Sequence, residues 1–257
     1  MIAPNPDDRR LTSLSIVLPC FNEVENVAAA VAQAHDAGAA HAHRHEVIVV
    51  DDGSTDGTGP VAVALAHADE RVRVVTHERN RGYGAALRSG FAATRGAWVL
   101  LTDGDLQFDL GELDRFTNLT NDHDLVAGHR IDRADPPARR AAAHLWNLLV
   151  RRSFGVALRD VDCAFKLMRG EPLRALPLAS DGAMISTELL VRAQRAGWRI
   201  AEVGVHHRPR PAGEPSGGDP RVVLRAFREH RVLQHALRDA ERAPAAAPGL
   251  AERAPAT

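Results

Sequence analysis

The chain has 257 residues, 45% of them apolar and 25% charged, with a formal net charge of −1. That length can bury the core of one large domain, and a near-neutral balance excludes the global basic field of a nucleic-acid binder. No apolar run reaches the ~20 residues that span a bilayer, the start MIAPNPDDRRLTS has no signal-peptide core, and two cysteines cannot form a disulfide framework, so a cytoplasmic protein with reduced Cys20 and Cys163 is expected.

Short apolar, β-branched runs alternate with helical patterns along the first half of the chain. LSIVLP (14–19) reads as a strand, and 23–38 reads as a helix ended by Gly38. EVIVVDD (46–52) is a second strand, 55–69 contains a second helix, and RVRVVTHE (71–78) is a third strand. A helix over 82–96 closes at Gly96, and AWVLLTD (97–103) is a fourth strand. This order predicts an α/β fold with a mostly parallel, Rossmann-like sheet, right-handed crossovers and helices on both faces. Asn22, Asp51, Asp52, Asp103 and Asp105 all follow strand ends, so they should converge on the edge where such sheets bind ligands.

The regularity fades after residue 125. DLVAGHRID (124–132) suggests a strand, 139–155 an amphipathic helix with basic ends, and 171–178 a loop or short turn. A helix over 185–197, a strand over 198–210, a Pro/Gly-rich loop over 211–220 and a charged helix over 221–242 follow. The expected organisation is a flexible start (1–12), one domain (13–242) and a disordered Ala/Pro-rich tail (243–257). The Trp146-centred helix packs on the sheet in this reading, with contact to a membrane or an acceptor as the alternative.

Two motifs carry the chemistry. In VIVVDDGSTDGT (47–58) a buried strand delivers adjacent carboxylates, then a glycine turn, with Ser54 or Thr55 expected to cap the next helix. Acidic groups in that position accept hydrogen bonds from a base or ribose, or simply cap the turn. No G-x-x-x-x-G-K-[ST] occurs, and the glycines at 82, 84 and 90 miss the G-x-G-x-x-G spacing, which argues against a phosphate-loop enzyme and a dehydrogenase. In TDGDLQFD (102–109), Asp103 and Asp105 flank Gly104, which can let a ligand approach the backbone. Hard oxygen ligands suit Mg2+ or Mn2+ shared with a substrate diphosphate. A calcium EF-hand fits Asp103, Asp105 and Gln107 but fails at Phe108, where glycine is needed, at Asp114, where glutamate is needed, and at the preceding strand.

Together these pieces resemble family 2 glycosyltransferases of the GT-A fold, closest to the dolichol- or polyprenyl-phosphate sugar synthases. The resemblance runs from about Ser15 to about Arg231 through SIVLPCFNEVENV, VIVVDDGSTDGT, NRGYGAALRSGF, LLTDGDLQFD, VAGHRID, DVDCAFKLMRG and HHRPRPAGEPS. It implies that Pro19, Phe21, Asn22 and Glu23 hold the nucleotide, joined by Val50, Asp52 and Ser54 from the second motif and by Gly82. It further implies that Asp103, Asp105 and Gln107 hold the metal, with Asp103 and Gly104 also near the nucleotide, and that Arg130 meets the acceptor phosphate or donor sugar. Arg208 or Arg210 would close on the diphosphate. The sequence departs from the pattern by an extra residue between Gly213 and Ser216, by the missing lysine after that serine, and by having no membrane-spanning segment.

The implied reaction is inverting transfer of a hexose, mannose or glucose, from a GDP- or UDP-sugar to an acceptor, with polyprenyl phosphate at the inner membrane face first in line. A phosphate monoester is largely ionised at neutral pH and can attack unaided, whereas a hydroxyl needs a base. Glu188, Asp160 and Asp162 are the candidate bases, with Asp105, Arg130 and Glu188 as the catalytic set. A transferase acting on a soluble hydroxyl, a nucleotidyltransferase and a non-catalytic nucleotide-sugar-binding module are the alternatives. The paired His206 and His207 read as phosphate-facing or surface groups rather than ligands, Cys163 as buried, and a homodimer is one option for assembly.

Overall fold

A computed structural model describes residues 10–131, 137–212 and 220–242, with the side chains of 137–142, 220–224 and 240–242 left aside. The first half builds β1 (Leu14–Cys20), α1 (Val27–His41), β2 (His45–Asp51), α2 (Thr58–Ala68), β3 (Val72–Thr76), α3 (Tyr83–Ala93) and β4 (Trp98–Leu101). The second half adds a 3-10 turn (Leu110–Glu112), α4 (Leu113–Thr117), β5 (Leu125–Ile131), α5 (Pro137–Phe154), β6 (Lys166–Arg169), α6 (Gly170–Ala175), α7 (Ile185–Arg195), β7 (Ile200–His206) and α8 (Pro220–Arg242).

The seven strands run in the order β3-β2-β1-β4-β6-β5-β7. All pairs are parallel except those of β6, which runs antiparallel to both β4 and β5. The strand period of two sorts the core. Ile16, Leu18, Val47 and Val49 face one side with Ala30, Val31 and Ala34 of α1. Val17, Ile48 and Val50 face the other with Leu87 and Phe91 of α3, Leu189 and Leu190 of α7, and Leu233 and Leu237 of α8. Burial on both faces explains why these strands read as continuous apolar runs rather than alternating ones.

The sheet is mostly parallel, as the sequence predicts, and several boundaries move. α1 continues past Gly38 to His41, because Gly38 packs against the His45 ring instead of ending the helix. α3 ends at Ala93, where the Thr94 backbone and hydroxyl both donate to the Phe91 carbonyl, so Gly96 belongs to the following turn. The cap of α2 is neither Ser54 nor Thr55: Gly57 takes a positive φ of 104° and Asp56 accepts from the Thr58 backbone and hydroxyl. Segment 171–178, read as a loop, begins inside the short helix α6, and β6 is a strand that the pattern did not show. The start is not flexible up to residue 12: Leu11 is buried, donates to the His41 carbonyl and accepts from the His43 amide. The expectations for 1–9, Gly213, Ser216 and the tail from 243 lie outside the described residues.

Strand β1 pairs with β2 on one side and β4 on the other, so the strand order reverses there. Such a reversal opens a crevice beyond the carboxyl ends of the strands. The chain segments leaving β1, β2 and β4 at this edge are those the sequence singled out.

Candidate active site

The segment after β1 is stitched to the one after β2. Asn22 adopts the left-handed conformation, φ 57°, that asparagine tolerates better than most residues. Its backbone N–H donates to Ser54 Oγ at 3.0 Å, and its Oδ1 accepts from the Thr55 amide at 2.9 Å. The amides of Glu23 and Val24 donate to Thr58 Oγ1 and Asp56 Oδ2. The result is a stiff double loop from which Phe21 projects, 42% exposed, beside the crevice. An exposed aromatic on a rigid loop is a stacking surface for a planar base.

Asp52 is used differently from a direct nucleotide contact. It is buried; its Oδ1 lies 2.6 Å from His77 Nδ1 and accepts from the Arg81 amide, and its Oδ2 accepts from the Gly82 amide at 2.8 Å. His77 Nε2 in turn lies 2.9 Å from Ser89 Oγ on α3. This chain fixes the 79–82 loop as the floor of the crevice. Gly82 is needed there, with φ 104° and only 2.5 Å from an added Cβ to the Asp181 carbonyl. Val50 lies fully in the core, so its side chain is withheld from any ligand.

The acidic loop after β4 holds the densest charge. Asp103 receives the Tyr83 hydroxyl at 3.1 Å. Burial, then the Asp105 charge, pushes the Asp103 carboxyl up to about 7. Asp105 is also raised, mainly by burial, although the Gln107 amide at 3.2 Å and nearby Arg210 oppose that. The Tyr83 hydroxyl is raised by burial and by the same carboxylates. Two carboxylates held against their ionisation preference are what a divalent cation relieves, and hard oxygens suit Mg2+ or Mn2+. Among the described residues no group of three or more His, Cys, Asp or Glu side chains forms a complete cage, so such an ion would need oxygens from substrate or water. The pair therefore fits a cation shared with a diphosphate. Gln107 donates its amide N–H to the Arg208 carbonyl, which leaves its side-chain oxygen as its only possible ligand atom. Gly104 does serve a close approach, but to the protein: an added Cβ would stand 2.8 Å from Cys20 Sγ.

The segment after β7 crosses over this loop. Phe108 and His207 form an antiparallel bridge, and the Arg208 amide donates to the Gln107 carbonyl at 2.8 Å. Arg208 pairs with Asp109 at 2.5 Å, while Arg210 binds Glu23 and reaches Asp105 at 3.8 Å. Both arginines thus stand at the crevice, Arg210 against the acidic loop itself. His206 binds Glu112 at 2.7 Å and His207 stacks edge-on to Phe108, uses that suit structure rather than metal ligation.

At the end of β5, Arg130 meets Asp160 through a two-point pair at 2.7 and 2.8 Å, and its own backbone amide donates to the same carboxylate. Though burial acts against the charge, Asp160 holds the guanidinium firmly protonated. Below it, fully buried Lys166 of β6 donates to the carbonyls of Val161, at 3.2 Å, and Cys163. Burial lowers its pKa, and its charge also acts on Asp103. Cys163 is buried, with its thiol pushed up to about 12 by burial, as a core cysteine should be.

Glu188 is not presented as a base. It is buried in the first turn of α7 and accepts from the Ala179 and Ser180 amides and from Arg192 at 2.7 Å. Burial raises its pKa, but these donors outweigh burial and hold it ionised below the ordinary glutamate range. It anchors loop 179–182, whose Asp181 carbonyl receives the Gly84 amide at the start of α3. Tyr83, His77 and Lys166 complete the site beyond the residues singled out from sequence, while Asp160, a candidate base in the sequence reading, serves as the partner of Arg130. Tyr83, as the only tyrosine in the chain and part of NRGYGAALRSGF, carried a signal that could have been followed.

The family model for glycosyl transferase family 2 matches residues 15–176, which run from β1 to the end of α6 and include the loops after β1, β2 and β4 and the Arg130–Asp160 pair, with Glu188, Arg208 and Arg210 beyond it. The chain belongs to glycosyl transferase family 2. Within that family's wider circle it is 35% identical over 222 residues to the glycosyltransferase AglD of Haloferax volcanii, covering 82% of this chain and 34% of that protein. It is 32% identical over 216 residues to an undecaprenyl-phosphate 4-deoxy-4-formamido-L-arabinose transferase of Pseudomonas fluorescens, covering 83% of this chain and 62% of that protein. The chain thus spans between about a third and just under two thirds of these curated relatives. In fold it matches glucosyl-3-phosphoglycerate synthase of Mycobacterium tuberculosis solved with Mn2+ and UDP-glucose, with a TM-score of 0.64, 24% identity and coverage of 85% and 79% of the two chains. A mannosyl-3-phosphoglycerate synthase of Rubrobacter xylanophilus matches at a TM-score of 0.62 and 18% identity, over 93% of this chain and 78% of that one.

Proposed function

We propose that the protein transfers a hexose, with inversion, from a nucleotide-diphosphate sugar to polyprenyl phosphate. The observation that carries this reading is the pairing of an undercompensated acidic loop, Asp103/Asp105, with a prebuilt arginine at the end of β5, Arg130. Asp103 and Asp105 would hold a divalent ion, Mn2+ or Mg2+, with Gln107 as a third candidate ligand. Such an ion, when bound, neutralises charge on the departing nucleoside diphosphate. Phe21 stacks on the base, with Pro19, Asn22, Glu23 and Ser54 shaping that end, while Arg210 turns from Glu23 and Asp105 to the diphosphate and Arg208 supports it from the rim. UDP-sugars are the first donors to try, since the solved relatives of like fold are described with UDP and UDP-glucose; GDP-sugars follow.

The acceptor assignment rests on which bases the chain offers. Of the three candidate bases, Glu188 is engaged by its loop and Asp160 by Arg130, while Asp162 is exposed; two of the three being engaged disfavours a neutral hydroxyl acceptor and suits a phosphate that is already ionised. Arg130 would receive that phosphate by sharing its guanidinium between Asp160 and the acceptor. The curated relative from Pseudomonas fluorescens is named for an undecaprenyl-phosphate acceptor. No described helix is long and apolar enough to cross a membrane. On this reading the site meets the lipid phosphate at a membrane surface, on the cytoplasmic side where nucleotide sugars are supplied. The test is transfer of labelled sugar from a panel of UDP- and GDP-sugars, with Mn2+ or Mg2+, to polyprenyl phosphate and to soluble sugars. Transfer to the lipid phosphate supports the reading; transfer only to a soluble hydroxyl overturns the acceptor, and donor binding without transfer or hydrolysis overturns the activity.

A further inference from the structure

Helices α5 and α8 pack together on the same face of the sheet. Trp146 meets Phe227 at 5.6 Å and His230 at 6.2 Å, and His230 also contacts Phe154 and Ser153. Trp146 and Val150, four apart, turn inward on α5, as do His230, Leu233 and Leu237 on α8. The Trp146 helix, expected to pack on the sheet, lays Trp146 against α8 within the apolar cluster on that side, and four large apolar side chains remain exposed on the two helices. Leu145 is 68% and Leu148 53% exposed on α5, and Phe227 is 48% and Val232 67% exposed on α8.

Both helices are basic in sequence. α5 carries four arginines and no carboxylate, and α8 carries six arginines against three carboxylates. The two helices therefore hold a net charge of +7 in a chain whose formal net charge is −1. Arg151 and Arg152 are exposed beside Leu148, and Arg228 and Arg231 beside Val232. Helix α5 is also tied to the site. Asn147, between Trp146 and Leu148, donates to the Arg159 carbonyl at 2.9 Å and accepts from the Val161 amide at 3.3 Å. Those two bonds bracket Asp160, the partner of Arg130.

We propose that the exposed faces of α5 and α8 dock on an anionic lipid surface, with Leu145, Leu148, Phe227 and Val232 entering the headgroup boundary and the arginines meeting lipid phosphates. An amphipathic helix with apolar residues on one side and arginines around them binds such an interface by apolar burial and charge together. Docking there sets Asn147 and the Arg159–Val161 segment at the membrane surface, so that Arg130 meets a phosphate carried on a lipid. The inference rests on the reading of the acceptor as a lipid phosphate, but its evidence is the surface itself.

Flotation of the full chain with vesicles of phosphatidylcholine alone, or with phosphatidylglycerol added, tests it. The protein is expected to float with anionic vesicles and to be released by high salt. L145E/L148E should weaken that binding about tenfold or more, and R151Q/R152Q should weaken it less, both with unchanged circular dichroism and UDP affinity. Equal flotation of L145E/L148E, or no flotation of the parent protein, would overturn the proposal. So would loss of self-association in L145E/L148E without any vesicle binding, because the face would then belong to a second copy. If L145E/L148E loses vesicle binding but the parent protein transfers no sugar to polyprenyl phosphate in detergent, the surface stands and the acceptor reading fails.

Discussion

At the end of β4, Asp103 and Asp105 sit together with Arg210 3.8 Å from the nearer oxygen and shared with Glu23, and the Asp103 carboxyl is pushed up to about 7. At the end of β5, Arg130 and Asp160 are matched by two short bonds, with Lys166 buried beneath and Glu188 locked to its own loop. The first region holds negative charge that the protein does not fully compensate; the second is compensated by the protein alone. An incompletely neutralised buried pair is costly to hold unless something cationic arrives, whereas a paired cluster is stable as it stands. On the proposed function, an incoming ion belongs to the β4 edge and a preformed receptor to the β5 edge.

The contrast breaks most sharply if the acidic pair is dispensable. Asp105→Ala is expected to lower metal-dependent transfer by about a thousandfold or more with little loss of thermal stability, since removing one of two repelling carboxylates relieves the apo protein. Turnover of purified variant with and without chelator checks this, and near-normal turnover would end the metal assignment.

Next comes the β5 edge. Arg130→Ala should cut transfer to polyprenyl phosphate by roughly a hundredfold or more and weaken donor affinity far less, because its two-point pair is with Asp160 and its charge reaches Asp103 only through space. It should also destabilise the fold by about 3–5 kcal/mol by leaving Asp160 unmatched, so turnover must be referred to folded protein. Equal losses in donor binding and transfer would merge the two regions into one.

Glu188→Gln sharpens the comparison from another side. As a loop anchor, Glu188 should cost about 1–3 kcal/mol of stability when its ionic hydrogen bonds are weakened, with an unchanged pH profile of transfer. Its native pKa lies below the ordinary value, so its stabilisation should be present at neutral pH and fade as pH falls through the acidic range. Loss of an acidic limb from the rate profile in the variant would restore it as the base.

How far these regions could be read from sequence follows from their physics. The first four strands and the helices between them show themselves because both faces of the sheet are buried and the runs are apolar. The acidic loop shows itself because carboxylates directly after such a run are unusual. β6 stayed hidden: KLMR begins with a lysine that is wholly buried, and a charged residue in a four-residue run reads as surface. The Arg130–Asp160 pair spans thirty residues, a separation that no local pattern encodes. Asp52 and Glu188 were recognised as chemistry-bearing, but the amides that engage them come from the 79–82 and 179–180 loops, whose approach no local pattern encodes.

A smaller effect follows from Asp103 alone. With its pKa raised to about 7, its contribution to apo stability is full below the ordinary carboxylate range and declines as pH rises through about 7. A bound cation reverses that loss, so the rise in melting temperature on adding Mn2+ should be larger at pH 8 than at pH 6 and should flatten in Asp103→Asn. A Mn2+ effect independent of pH would place the ion elsewhere.

The most direct test is calorimetric titration of UDP into the full chain with Mn2+ or with chelator, at pH 8, for the parent protein and Asp105→Asn. The account predicts that Mn2+ strengthens UDP binding at least tenfold in the parent protein and has little effect in the variant, because the ion is shared between the carboxylates and the diphosphate. UDP binding of equal strength with Mn2+ and with chelator in the parent protein would contradict it.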